Sequence, residues 1–247
     1  MTALRRGLLP ACRAIGTVVS LAVLAASGSV AATAATQHVG PVQRGATARW
    51  AYVLEDTSVF ARPTRSARII GRLSTATALD QPNLVQLLAE AKVRGGATWV
   101  KVLISQLPNG TAGWLPRSAL AGFRTATTRL VIDRERFVAT LYRNGKAVFS
   151  ARVGVGTTTN PTPAGHFYIR ERLSNFNDPV YGPIAFGTSA RSPTLTDWPG
   201  GGVVGIHGTN APQLIPGRIS HGCVRMRNED IVRLAAQLPI GTPIVVR

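Results

Sequence analysis

The chain has 247 residues, of which 45% are hydrophobic and 16% charged, with 28 lysines and arginines against 11 acidic residues. So much apolar content with so little charge excludes an intrinsically disordered protein. The length admits one large domain or two small ones. The formal net charge of +17 makes nucleic acid the reflex partner. No stretch interleaves aromatics with arginines as a base-stacking platform would, however, so nucleic acid is not an expected partner.

The first segment reads as a leader. Arg5, Arg6 and Arg13 form a basic start, Ile15–Ala26 is apolar, and Ala32-Thr33-Ala34 offers a small-residue cleavage site. Residues 1–35 are therefore expected to be a signal peptide cleaved near Ala34, with an uncleaved anchor as the alternative. Such a leader sends the protein to the cell envelope. Its loss removes three arginines, leaving 25 basic residues against 11 acidic ones, a charge suited to anionic cell-wall polymers. It also removes Cys12, so Cys223 becomes the sole thiol and has no internal disulfide partner. Residues 36–48 are a polar connector, and His38 within it carries no assigned role.

From residue 49 to 120 the pattern is of short strands broken by turns. Trp50–Leu54, Ser58–Ala61, Ile69–Leu73 and Thr98–Ile104 read as strands. Val85–Val93 fits strand or helix spacing, and the Arg94-Gly95-Gly96 turn after it favours strand. The whole predicts a small barrel, with Trp50, Trp99 and Trp114 packed in its core. VFARPTRSARIIGRL, TWVKVLI and GTAGWLPRSAL resemble bacterial SH3-like domains.

Residues 121–128 read as a linker and residues 129–247 as a second β-rich unit. Leu130–Asp133, Phe137–Tyr142, Ala147–Val155 and His166–Arg170 are expected strands, with Asn144-Gly145 a two-residue hairpin turn. Residues 173–202 read as a long ordered loop whose aromatics, Tyr181 and Trp198 among them, could wall a groove. Val203–His207 is a strand that carries His207 at its end. A helix follows Cys223, capped by Asn228 and burying Ile231, Leu234, Ala235 and Leu238 before Pro239 and Gly241 stop it. The expected fold is mainly β: a small barrel, then a β-sandwich with one short helix near its C-terminal end.

The chemistry concentrates in IHGTNAPQLIPGRISHGCVRM, residues 206–226. A thiol attacks as thiolate, so Cys223 needs a base. His221 lies two residues away, and in an extended or tight-turn segment its ring points away from the sulfur. His207 arrives on a separate strand end and is the better base. The run Ser220-His221-Gly222-Cys223 can cluster backbone N–H groups beside the sulfur as an oxyanion hole. A zinc site would need His166 to join His207, His221 and Cys223, so no metal or cofactor is expected. A papain-like peptidase places its cysteine before its histidine, the reverse of the order here.

HGTN and SHGCVRM resemble the active-site signature of the L,D-transpeptidase (YkuD-type) catalytic domain, with PTPAGHFYIR, YGPIAFGTSA and GVVGIHGTN in matching order. The resemblance implies Cys223 as nucleophile, His207 as proton acceptor and donor, and the Gly208 carbonyl as the group orienting His207. It implies backbone donors at His221, Gly222 and Cys223, and substrate contacts from Ser220, Arg225, Tyr181 and Trp198. It further implies a monomeric enzyme acting on peptidoglycan stem peptides, releasing D-alanine through a thioester and forming third-to-third crosslinks. An L,D-carboxypeptidase, or a wall-binding protein with an idle catalytic unit, are the alternatives.

Overall fold

A computed structural model describes residues 37–38, 47–174, 178–195 and 202–247. The expected leader and Trp198 lie outside the described residues. Among the described residues the strands form two sheets. The first runs in the order Ile69–Leu73, Thr57–Phe60, Ala112–Pro116, Thr98–Leu103, Leu84–Lys92, Ala48–Tyr52, Arg124–Ala126, with every pair antiparallel; Gln37–His38 also pairs with Leu84–Lys92. The segment read as a linker thus contributes a strand, because Arg124–Ala126 pairs with Ala48–Trp50.

Leu84–Lys92 shows why its sequence was ambiguous between helix and strand. Val85 and Leu87 face the core of the first sheet, while Leu84 faces the other way into an apolar cluster with Trp50, Leu103, Ala126 and Tyr168. A strand buried on both faces loses its apolar–polar alternation and cannot be told from a helix by period.

The second sheet is mixed, in the order Lys146–Arg152, Val138–Arg143, Thr128–Asp133, Pro243–Val246, Gly165–Ser174, Ile184–Arg191, Val203–His207, Val224–Arg225, Gly154–Gly156, Gly217–Ser220. Its core is built from Leu130, Ile132, Leu141, Phe167, Ile169, Phe186, Ile206 and Met226. Asn144 and Gly145 both adopt positive φ (49° and 82°), as a two-residue hairpin turn of mirror-image type requires.

Two expectations need correction here. Residues 173–202 are not one loop: Ile184–Arg191 is a strand between Gly165–Ser174 and Val203–His207. Six of its eight residues are buried, so it too lacks alternation, and its small residues Gly187, Thr188, Ser189 and Ala190 imitate loop composition. The helix Asn228–Ala235 is preceded by Arg227 in the cap position, with no side-chain cap. Asn228 is already helical, and its side chain serves another segment, described below.

The two sheets meet in a hydrogen-bonded seam. The buried Tyr168 hydroxyl lies 3.2 Å from the Leu84 carbonyl and 3.3 Å from that of Leu103. Asn109 pairs with both backbone groups of Arg191, at 2.7 and 2.9 Å. Arg170 donates to Ser105 and to Asn83.

Candidate active site

The strands Val203–His207 and Val224–Arg225 are parallel neighbours, with Ile206 beside Val224 and His207 beside Arg225. That register brings Cys223, one residue before the second strand, alongside Gly205. The Gly205 N–H donates to Cys223 Sγ at 3.3 Å. A Cβ on Gly205 would stand 3.7 Å from His207 Cδ2 and 3.8 Å from Cys223 Sγ. Imidazole and thiol therefore flank one strand position. Gly205 is a site residue that the motif reading missed, and only the strand pairing reveals it.

His207 is 3% exposed, and its Nδ1 is 2.6 Å from the Gly208 carbonyl. A carbonyl can only accept, so Nδ1 carries the proton and Nε2 keeps its lone pair. Tyr181 stacks edge-on against the His207 ring, centroids 5.1 Å apart. Asn228 holds the loop after His207: its Oδ1 accepts from the Thr209 N–H at 2.9 Å. The same oxygen sits where a Cβ on Gly182 or Gly208 would fall, so side chains are barred at both positions.

The turn before Cys223 is braced from inside. Gly222 adopts φ +119°, a conformation that side-chain-bearing residues rarely take. The Ser220 hydroxyl donates to the Cys223 carbonyl and accepts from the Gly222 N–H at 3.1 Å. Buried Thr162 donates to the Gly222 carbonyl at 2.8 Å and accepts from Gly156 N–H at 2.8 Å. Two expectations change accordingly. Ser220 is 1% exposed and its hydroxyl is committed to the turn rather than offered to a substrate. The Gly222 N–H is committed to Ser220, leaving the His221 and Cys223 amides as the members of the expected trio not held by that hydroxyl.

A cavity of about 210 Å³ opens at the thiol, lined by Cys223, His207, His221, Arg225, Tyr181 and Ser220 together with Ser192, Leu195, Val203 and Val204. The structure thus gathers every expected site residue except Trp198, which lies outside the described residues. Among the described residues, no three His, Cys, Asp or Glu side chains come together as a metal site.

Residues 127–246 match the model of the YkuD family, described as the L,D-transpeptidase catalytic domain. The Bacillus licheniformis protein named L,D-transpeptidase YkuD is 31% identical over 130 residues, covering 51% of this chain and 72% of the relative. The chain belongs to the L,D-transpeptidase family. It is also 35% identical over 107 residues to the Bacillus subtilis YkuD protein, covering 43% of this chain and 58% of that relative's length. The solved structure of the catalytic domain from the E. faecium L,D-transpeptidase is similar over 49% of this chain and 96% of that one, at 26% identity and a TM-score of 0.38.

Electrostatics set the resting state of the site. Burial pushes the His207 pKa down to about 4 against the opposing pull of its bond to Gly208, and the Arg225 cation lowers it further. Burial also pushes the Cys223 thiol up, and the Gly205 N–H and Arg225 offset only part of that. At neutral pH the pair rests as neutral thiol and neutral imidazole. Arg225 is the charged side chain that acts on both, and its Nε is buried with no hydrogen-bond partner among the described residues. Such a site can pass a proton from sulfur to imidazole when an electrophile arrives, which is general-base-assisted thiol attack.

Proposed function

We propose that the protein is a peptidoglycan L,D-transpeptidase that forms third-to-third crosslinks through a thioester on Cys223. Cys223 Sγ attacks the carbonyl joining the third residue of a tetrapeptide stem to its terminal D-alanine, and the thiol proton passes to His207 Nε2. The tetrahedral intermediate places its oxyanion near the His221 and Cys223 amides, then collapses as His207 returns the proton to the departing D-alanine amine. An acceptor amine on a neighbouring stem attacks the thioester and gives its proton to His207. Cys223 leaves as thiolate and regains that proton. Water in place of the amine makes the same site an L,D-carboxypeptidase.

The observation that carries this reading is the His207 tautomer: Nδ1–H held by Gly208 leaves the Nε2 lone pair unprotonated, on a ring that lines the same cavity as the Cys223 thiol. In the same reading the protein is exported to the cell envelope after cleavage near Ala34 and works as a monomer. Residues 49–120 form an SH3-like unit that can contact anionic wall polymers, and residues 129–247 form the catalytic unit.

Intact-mass spectrometry with purified tetrapeptide stems tests the reaction. The wild type is expected to gain the stem mass less D-alanine on Cys223 and to yield crosslinked dimer. Cys223→Ala is expected to show neither; D-alanine release by that variant would overturn the mechanism. Hydrolysed tripeptide with no dimer would replace the transferase with the carboxypeptidase.

A further inference from the structure

A second cavity, of about 220 Å³, opens at Cys223 and shares Tyr181, Val203 and His207 with the first. Its other walls are apolar: Leu173, Ala185 and Phe186 from the second sheet, and Leu79. Leu79 belongs to neither neighbouring strand. It comes from the turn at residues 77–81, in the part of the chain that builds the first sheet.

That turn is fastened to the catalytic sheet. The Thr77 hydroxyl donates to the Glu171 carboxylate at 2.6 Å in a buried setting, and accepts from the N–H groups of Leu79 and Gln81 at 3.2 and 3.3 Å. Thr77 N–H donates to the Gln81 carbonyl, and Asp80 takes a φ of +57° to close the turn. The Glu171 side chain lies over Gly187, filling the space a Cβ would need, and Gly187 lines the same cavity. Leu79 itself remains 39% exposed and joins none of the apolar cores. A lone exposed leucine is ordinary on a protein surface. This one is held at the wall of a cavity that contains the thiol.

We propose that Leu79 is a specificity-determining contact, by which the first sheet's turn supplies an aliphatic wall for an uncharged, aliphatic segment of the peptide stem bound at Cys223. The two cavities differ in the required sense. The first carries the Arg225 cation, whereas His207 is the one basic side chain lining the second, and it is neutral at working pH. A charged group entering the second cavity would lose hydration with no counter-charge to meet it. This assignment rests on the thioester reading above, and the experiment separates the two.

Thioester formation is measured by intact mass against tetrapeptide-stem concentration for wild type, Leu79→Asp and Leu79→Ile. Thermal melting and alkylation of Cys223 by iodoacetamide are followed in parallel. Leu79→Asp is expected to raise the half-saturating stem concentration about tenfold, the loss expected for one aliphatic contact replaced by a carboxylate, with Leu79→Ile near wild type. Its melting point and iodoacetamide rate should stay at the wild-type values, because the small reagent needs no aliphatic wall. Equal saturation curves for wild type and Leu79→Asp would overturn the role of Leu79. A wild type that forms no adduct would instead overturn the thioester reading.

Discussion

Cys223 and His207 form a pair whose surroundings disfavour both charged forms. The unfolded chain binds a proton at His207 near 6.5, whereas the folded chain refuses it until about 4. The resulting stability is complete above about pH 6.5 and is lost as pH falls toward 4, on the order of 3 kcal/mol for a shift of this size. The same shift keeps the base functional in mild acid. The acid limb of thioester formation is expected near pH 4, and alkylation of Cys223 should rise only above the ordinary thiol range. A plateau of alkylation between about pH 6 and 7 would reveal a thiolate–imidazolium pair and sink this description. These two residues were legible as chemistry because a histidine and a lone cysteine are conspicuous letters. Gly205 and Thr162 were not, since one acts through a backbone N–H and the other through a turn brace, neither of which leaves a mark on residue type.

At the scale of elements, Asn228 shows how a correct motif can be given the wrong task. Its place before an acidic turn and an apolar face reads as a helix cap, yet its side-chain oxygen reaches nineteen residues back to the Thr209 N–H. Asn228→Ala should therefore leave helix Asn228–Ala235 formed while freeing the loop that carries the Gly208 carbonyl. We expect a stability loss of about 1–3 kcal/mol for the orphaned donor and slower thioester formation, with unchanged far-ultraviolet helicity. Loss of helicity without loss of rate would return Asn228 to its cap role. Some strand boundaries on half-buried elements were readable to within a residue or two, as at Ile69–Leu73, whereas the expected Ala147–Val155 divides into Lys146–Arg152 and Gly154–Gly156. Ile184–Arg191 escaped because both of its faces are covered and its residues are small, so neither period nor β-branching announces it.

Across the whole molecule, the seam makes one mechanical object of two sheets. Tyr168, fully buried, has its pKa pushed up to about 12 by burial, so its hydroxyl stays protonated and can donate to the Leu84 and Leu103 carbonyls. We expect a single cooperative unfolding transition reported alike by tryptophans of the first sheet and by Cys223 protection in the second. Tyr168→Phe should lower its midpoint, at a cost of about 1–2 kcal/mol, because the one buried O–H shared between the Leu84 and Leu103 carbonyls is lost. Two separated transitions in the wild type would show that the seam does not couple them. None of this was legible from the sequence, where residues 121–128 read as a linker between two units.

The strand Pro243–Val246 has a temporal consequence. It lies between Thr128–Asp133 and Gly165–Ser174, parallel to the first and antiparallel to the second. The sheet that presents Cys223 is thus split through its middle until Pro243–Val246 has paired with both neighbours. Pairings across more than a hundred residues must form before local contacts are rewarded, a topology associated with folding in milliseconds to seconds rather than microseconds. A chain in which that strand is not yet paired would hold its thiol on an open half-sheet. The half-sheet that carries Cys223 joins the rest of its sheet only once a strand distant in sequence has docked between them.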